Sequence, residues 1–97
     1  MILDRLYKIM YKDSDKVVIN LCDAEHPIFK AHFPTEPILP GFIHFEIVER
    51  EFNMNIQTIK KAKFTKIIRP MDSLEYIKKN NKFEVFCQTH LVASFVV

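Results

Sequence analysis

The spacing of apolar and polar residues predicts six strands and one long helix. Residues 5–11 and 16–22 mix β-branched, aromatic and polar residues, and the turn-forming Asp13, Ser14 and Asp15 lie between them, which predicts a β-hairpin. Four further strands are predicted at 57–68, 74–79, 82–88 and 91–97. Asn80-Asn81 suits a two-residue hairpin turn because asparagine tolerates positive φ, and Thr89-His90 predicts another tight corner.

The helix is predicted over residues 41–53, after the second strand. At 100° per residue its apolar side chains fall on two separated faces, which is typical of a helix that is buried on both sides. His26-Pro27 predicts a bend before it, and Ile28 and Phe29 are expected to pack on the core. One helix on a mainly antiparallel sheet is an α+β architecture, and we expect residues 1–97 to form a single domain.

Composition narrows the classes of protein. Of the 97 residues, 48% are hydrophobic and nine are Phe, more apolar surface than a small domain hides, which favours an oligomer. The net charge of +2 is too small to predict a nucleic-acid partner. Asp4 and Arg5 interrupt any signal peptide, and no apolar run is long enough for a membrane span. Cys22 and Cys87 lack metal-ligand spacing and predict reduced thiols in a cytoplasmic protein.

A proline-rich segment before the helix is the strongest candidate for a site. Pro34, Pro37 and Pro40 recur every third residue between His32 and Gly41, the chain's only glycine; residues 32–40 are called the proline strap below. Each proline fixes its own φ and keeps the preceding residue extended. At the helix start, unpaired amides can hold an oxygen that gains negative charge, and glycine permits a ligand's close approach.

The segment resembles the active-site motif of the hot-dog-fold (3R)-hydroxyacyl-acyl-carrier-protein dehydratases of fatty acid synthesis. That motif is His-Phe-Pro, two variable residues, Pro, two variable residues, Pro-Gly, and an acid five residues after the glycine. The matching residues are His32, Phe33, Pro34, Pro37, Pro40, Gly41 and Glu46, and the later family positions are matched by Lys63, Phe64, Arg69, Pro70 and Asp72. The resemblance covers about residues 26–72. Thr35 stands where most members have glycine, and the last strands are short.

The resemblance implies a hot-dog fold, in which a six-stranded, mainly antiparallel sheet wraps one long central helix. It implies a homodimer, or a higher even-numbered oligomer, with active sites between subunits. The substrate is then a 3-hydroxyacyl thioester of acyl carrier protein or coenzyme A, which is dehydrated to the trans-2-enoyl thioester. No cofactor or metal is expected.

The residue chemistry fits those roles. His32 suits the base that removes a C2 proton because histidine titrates near neutral pH. Glu46 suits the acid that protonates the departing hydroxyl, provided that partial burial keeps it protonated. The Gly41 amide suits the thioester oxygen. The alternatives are a loop histidine at position 32 and an ion pair of Glu46 with Arg50, which would keep Glu46 ionised. Glu49 is an alternative acid, although its spacing does not fit the family.

Other residues have two interpretations each. Phe33, Ile38, Phe42 and Phe45 either line a dry acyl channel or belong to the core. Phe33, Pro40, Phe42 and Phe45 are the predicted substrate-binding residues. His44 is expected to pack on the helix, with an acyl tunnel as the alternative, and His26 and His90 to lie in turns. The basic residues either form a solvated strand face or dock the acidic carrier protein. They are Lys60, Lys61, Lys63, Lys66 and Arg69.

Three other functions remain open from sequence. A hot-dog thioesterase would activate water with a carboxylate, but that class lacks the proline strap. A non-catalytic acyl-binding or structural subunit would keep the fold without the chemistry, and Thr35 and the short strands are compatible with it. A nucleic-acid module is the weakest hypothesis because the lysine-rich strand lacks regularly interleaved aromatic residues.

Overall fold

Six strands form one antiparallel sheet in the computed structural model, which describes residues 3–31 and 35–97. The strands are β1 (Tyr7–Lys12), β2 (Lys16–Leu21), β3 (Lys61–Phe64), β4 (Ser73–Lys79), β5 (Lys82–Cys87) and β6 (His90–Val96), and the helices are α1 (Pro27–Ala31) and α2 (Ile43–Glu51). The sheet order is β1-β2-β4-β5-β6-β3. β1 and β3 are therefore the two edges, and the predicted α+β class and six-stranded sheet are confirmed.

Period-two alternation decides which side of the sheet carries the core. In β2, Val17, Ile19 and Leu21 are buried while the residues between them are half-buried. Leu74 and Tyr76 repeat this pattern in β4, because successive side chains of a strand point to opposite faces. The inner face of the sheet is consequently a continuous apolar surface that α2 covers.

The hairpin turns depend on residues with positive φ. Asn80 has φ 57° between the paired residues Lys79 and Lys82, as the sequence predicts. The next turn is formed by Gln88 and Thr89, with φ 49° and 71°. It lies one residue before the predicted Thr89-His90 corner, because His90 is already paired with Cys87 in the sheet.

The long central helix predicted over about residues 41–53 is not confirmed, because α2 has only nine residues. At its start, the Ile43 and His44 amides donate to the carbonyls of Pro40 and Gly41, so the entry is a tighter i→i+3 turn. At its end, Asn53 has φ 50° and the Met54 amide donates to the Glu49 carbonyl over 3.0 Å, the bond of a Schellman stop.

The predicted bend at His26-Pro27 is the start of a short helix, α1. Proline suits the first helical position because its missing N–H has no partner there in any case. The His26 ring accepts a hydrogen bond from the Ile28 amide over 3.0 Å at Nδ1, and its Nε2 donates to the Asp4 carbonyl over 2.7 Å. Ile28 and Phe29 are buried as predicted, so α1 closes the core beside the proline strap.

Helix α2 packs on the inner face of the sheet. Ile43, Ile47 and Val48 are fully buried. Phe45 meets Phe95 of β6 edge-on at 4.8 Å between ring centroids, a favoured aromatic geometry. Neither helix of the described residues is long and apolar enough to cross a membrane.

Strand β3 is much shorter than the predicted 57–68. Among the described residues it pairs with β6 alone, from Lys61 opposite Val96 to Phe64 opposite Ala93, and all four of its residues are exposed. A strand with one neighbour persists only while that neighbour supplies hydrogen bonds. Its free edge is accordingly available for pairing with another chain.

Glu51, at the end of α2, is expected to anchor the helix to strand β1. Its carboxylate accepts hydrogen bonds from the Tyr7 hydroxyl and, over 3.0 Å, from the Lys12 ammonium. We expect Tyr7→Phe to lower the free energy of unfolding by about 1 kcal/mol, because the bond is partly shielded from water. Tyr11→Phe is the matched control, since the Tyr11 hydroxyl donates to Asp13 at the protein surface. Urea unfolding distinguishes them, and equal effects would contradict the anchoring role.

Candidate active site

A pocket of ≈ 560 Å³ lies between the end of the proline strap and the segment that follows β3. Its volume is in the range of small-molecule sites. Its walls are mostly apolar. The lining residues are Ile38, Leu39, Gly41, Phe42, His44, Phe64, Thr65, Lys66, Ile67 and Ile68.

Backbone and side-chain contacts hold the two walls together. The Leu39 amide donates to the Ile68 carbonyl over 2.8 Å, and both side chains are buried. Outside the pocket, the Arg69 guanidinium binds Glu36 over 3.0 Å. The strap is therefore attached to the β3–β4 connection along its described part, which keeps the pocket open between them.

Gly41 forms part of the pocket wall, two residues before α2 begins. The helix begins two residues after the predicted start near Gly41, and the Gly41 carbonyl accepts a hydrogen bond from the His44 amide. The Gly41 amide has no hydrogen-bond acceptor within residues 3–31 and 35–97. A Cβ at this position would lie 3.1 Å from two carbon atoms of the Phe64 ring. Glycine thus permits a close aromatic contact beside an unpaired backbone donor.

The two predicted catalytic side chains are not seen together. His32 and Phe33 lie outside the described residues. Glu46 is half-buried on α2 and does not line the pocket. It lies two residues after His44, about 200° around the helix, so it projects away from the pocket that His44 lines. Within the described residues, Gly41 lines the pocket and Glu46 does not.

The alternative roles for the neighbouring charges are resolved by their contacts. Arg50 approaches Glu51, with 3.7 Å between Nε and Oε2, and within the described ranges Glu46 has no ion pair or hydrogen bond. The carboxylate of Glu49 accepts the Ile56 amide over 2.8 Å, which ties the chain after α2 back to the helix. Glu49 therefore has a structural contact, whereas Glu46 is left unengaged.

The predicted substrate-binding residues occupy different environments. Phe42 lines the pocket and is 44% exposed. Pro40 contributes its carbonyl to the turn that starts α2. Phe45 packs between Phe95 and Phe64, at 4.8 and 6.1 Å, as a core residue would. Of Pro40, Phe42 and Phe45, only Phe42 lines the pocket, and the candidate channel residue Ile38 lines it as well.

The predicted basic residues do not share one face. They are Lys60, Lys61, Lys63, Lys66 and Arg69. Lys61 and Lys63 surround a smaller cavity of ≈ 240 Å³ with Lys82, on the side of the sheet opposite Phe64 and α2. Lys66 lines the main pocket. Because Arg69 is paired with Glu36, Lys66 is the cation of this set that lies at the candidate site.

A buried histidine–tyrosine pair is the feature of the pocket that sequence reasoning did not find. His44 is only 2% exposed, and its Nδ1 lies 2.7 Å from the hydroxyl oxygen of Tyr76 in β4. Burial lowers the pKa of His44 to about 4 and raises the pKa of Tyr76. The alternation of Leu74 and Tyr76 points Tyr76 inward, which is the one signal that sequence offers.

The arrangement is suited to holding an acyl group. The mostly apolar walls can contact a hydrocarbon chain, and the unpaired Gly41 amide offers a donor to a carbonyl oxygen. In residues 3–31 and 35–97, no group of three His, Cys, Asp or Glu side chains is placed to hold a metal ion.

The sequence matches known dehydratases. The profile of the ApeI-like family, described as ApeI dehydratase, matches residues 10–95. This chain is 32% identical over 88 residues to each of two curated relatives. They are the 3-hydroxyacyl-[acyl-carrier-protein] dehydratases FabZ of Thermoanaerobacter sp. (strain X514) and Thermoanaerobacter pseudethanolicus. These alignments cover 76% of this chain, which spans only 61% of the length of the FabZ relatives.

Solved structures share the fold at low sequence identity. The dehydratase heterocomplex ApeI:P from Xenorhabdus doucetiae matches with a TM-score of 0.69 and 16% identity, over 92% of this chain and 93% of that one. TT0310 protein and a mutant of phenylacetic acid degradation protein PaaI, both from Thermus thermophilus, match with a TM-score of 0.54 at 14% and 12% identity. They cover 96% of this chain and 90% and 91% of their own chains.

These likenesses establish the hot-dog fold, although its helix is shorter here than the sequence predicts. The family profile extends over both walls of the pocket, from β1 to the end of β6. The chain therefore belongs to the ApeI-like dehydratase family.

Proposed function

We propose that this protein catalyses the reversible dehydration of a (3R)-hydroxyacyl thioester to the trans-2-enoyl thioester. The acyl group is carried by acyl carrier protein, with coenzyme A as the alternative carrier. Membership of a dehydratase family supports the reaction class. The observation that carries the proposal is the unpaired Gly41 amide on the wall of a mostly apolar pocket.

Three groups of this chain each carry out one part of the reaction. His32 removes a proton from C2 of the substrate, and the negative charge moves onto the thioester oxygen. The Gly41 amide donates a hydrogen bond to that oxygen and stabilises the enolate-like state. Glu46 gives its proton to the hydroxyl on C3, which leaves as water while the double bond forms.

We propose that Glu46 acts in the active site of a second copy of the chain. Its direction on α2 supports this assignment, since Glu46 does not line its own chain's pocket. The free edge of β3 and the exposed apolar side chains near it also support a homodimer: Phe42, Ile59, Phe64 and Ile67 are 39–51% exposed. Apolar surface of this kind is typical of an interface between subunits.

The carrier protein is proposed to approach from the side of Lys66. Lys66 borders the pocket, and an acidic carrier would be attracted to it and to the neighbouring basic residues of the predicted set. Lys60, Lys61 and Lys63 then contribute through the long-range field. The reduced cysteines predicted from sequence fit a cytoplasmic location.

The thioesterase alternative is less well supported by the geometry. A thioesterase of the predicted kind needs a carboxylate to activate water, but no Asp or Glu lines the described pocket. A structural subunit remains an alternative because the relative ApeI is found in a heterocomplex. In that case a different chain, rather than a second copy, would complete the site.

A subunit-mixing experiment tests the reaction and the shared site together. His32→Ala and Glu46→Gln are each expected to be inactive in hydrating a 2-enoyl thioester on acyl carrier protein. When the two variants are co-refolded in equal amounts, about half of the dimers are mixed, and each mixed dimer has one intact site of two. We therefore expect about a quarter of wild-type activity.

The outcomes separate the alternatives. No recovery in dimers shown to be mixed would contradict the shared site. A wild-type homo-oligomer that is inactive on thioesters of every chain length, but becomes active with a second hot-dog chain, would support the heterocomplex. Thioester hydrolysis without hydration would replace the proposed reaction.

A further inference from the structure

The pocket contains a buried polar side chain that the proposed reaction does not use. His44 is 2% exposed and is the second residue of α2. It lines the pocket with Phe42, Phe64 and Ile68. The rings of His44 and Phe64 are nearly parallel, with 16° between their planes and 6.1 Å between centroids. A polar ring in this position needs a hydrogen-bonding role, because burying an unpaired polar group is costly.

Tyr76 determines which nitrogen of His44 carries the proton. The fully buried Tyr76 hydroxyl lies 2.7 Å from His44 Nδ1, and no other described residue hydrogen-bonds to it. A buried hydroxyl requires an acceptor for its proton. We therefore assign Tyr76 as the donor and Nδ1 as the acceptor, which leaves the N–H of the neutral ring on Nε2.

The remaining nitrogen of His44 faces the pocket. Nε2 has no hydrogen-bond partner among the described residues. Every fully enclosed side-chain nitrogen or oxygen atom of those residues has a hydrogen-bond partner, so an atom without a partner cannot be fully enclosed. Nε2 therefore has a small accessible surface of its own, and the pocket is the space that His44 borders. An unpaired donor of an otherwise buried ring thus reaches the pocket wall.

The donor is uncharged at neutral pH. Burial lowers the pKa of His44 to about 4, and no charged group adds to the shift. Nε2–H therefore behaves as a directional donor that selects an oxygen acceptor, and it does not attract anions through charge. A hydrocarbon chain packed against Nε2–H would displace the water that bonds to this donor and offer no acceptor in its place. The unpaired donor would weaken the binding of such a chain.

We propose that His44 is a specificity-determining residue, whose Nε2–H donates a hydrogen bond to an oxygen that the acyl group carries in addition to its thioester carbonyl. The inference rests on the proposed function, because it requires an acyl group in this pocket. Two sources of that oxygen fit the same chemistry: the hydroxyl on C3 that the reaction removes, and an oxygen farther along the chain. Tyr76 is the positioning residue that keeps the proton on Nε2.

Binding of unreactive analogues tests the inference separately from catalysis. Pantetheine amides, in which nitrogen replaces the thioester sulfur, are titrated calorimetrically into the homo-oligomer. The three acyl groups are hexanoyl, (3R)-3-hydroxyhexanoyl and 6-hydroxyhexanoyl. We expect wild type to bind at least one of the two oxygenated amides at least about tenfold more tightly than the hexanoyl amide. The preferred compound identifies the source of the oxygen.

Two variants distinguish recognition from packing. In the double variant His44→Leu with Tyr76→Phe, both members of the pair become apolar, so no buried group is left unpaired. We expect it to bind all three amides with similar affinity. His44→Gln retains an N–H donor and is expected to retain the preference.

The failures are distinguishable. Wild type that binds all three amides equally, or a folded double variant that keeps the preference, would overturn the role of His44 and leave the proposed function intact. Wild type that binds none of the amides would contradict the proposed acyl site, and with it the inference that rests on that site.

Discussion

Glu46→Gln and His32→Ala are each expected to lower kcat/KM for hydration of a 2-enoyl thioester by at least about 100-fold. Glutamine keeps the size of Glu46 but has no acidic proton to give, and alanine removes the base. Glu46 has the freedom that the role requires, because no hydrogen bond or ion pair engages it within the described ranges.

Glu49 provides a matched control on the same helix. Its carboxylate accepts a hydrogen bond from the Ile56 amide, and glutamine preserves that acceptor. Glu49→Gln is therefore expected to keep activity close to that of wild type and to unfold at a similar urea concentration. A large loss in Glu49→Gln with an active Glu46→Gln would assign the acid to Glu49 and contradict the spacing of the family motif.

The second large effect is a loss of stability in acid that depends on His44. Burial lowers the pKa of His44 from the ordinary 6.5 to about 4. Between these values the unfolded chain binds a proton that the folded chain does not. The contribution of neutral, buried His44 to the free energy of unfolding is therefore complete above pH 6.5 and is lost as the pH falls to about 4. Lowering the pKa of His44 from 6.5 to about 4 corresponds to about 3 kcal/mol of unfolding free energy.

Urea unfolding at a series of pH values from neutral down to about 4 measures this contribution. His44→Gln cannot titrate in this range and keeps an acceptor for the Tyr76 hydroxyl. We expect its free energy of unfolding to fall less steeply with acid than that of wild type, by about 3 kcal/mol over the whole interval. Parallel curves for the two proteins would show that His44 is not buried in the neutral form.

The strands were predictable because their signals are local. Apolar, β-branched segments and the turn residues between them identified β2, β4, β5 and β6 to within one or two residues, and Asn80-Asn81 marked a hairpin turn. Local pattern also indicated the burial of Ile28 and Phe29. The errors lie where a partner element decides the outcome. β3 ends where pairing with β6 ends, and α2 is confined to Ile43–Glu51 between an entry turn of i→i+3 bonds and the left-handed Asn53.

The candidate site also combines features that local sequence predicted with features that depend on tertiary packing. The spacing of Pro37, Pro40, Gly41 and Glu46 is visible in the chain, and it carried the resemblance to the dehydratase family. Sequence did not show that Glu46 projects away from the pocket of its own chain, because that direction depends on where α2 begins and on which face meets the sheet. The sequence also grouped five basic residues as one predicted docking surface. In the structure, the pleat of β3 places Lys61 and Lys63 at another cavity, and Arg69 is paired with Glu36.

The sequence by itself determined the α+β class, the six strands, the motif and the family to which the chain belongs, because each depends on neighbouring residues or on fixed spacings. Only the tertiary structure decided the pairing of His44 with Tyr76, which are 32 residues apart, and the closeness of Phe64 to Gly41. Such contacts arise when α2 is laid on a sheet whose strand order differs from chain order. They depend on packing between distant segments, which periodicity along the chain does not encode.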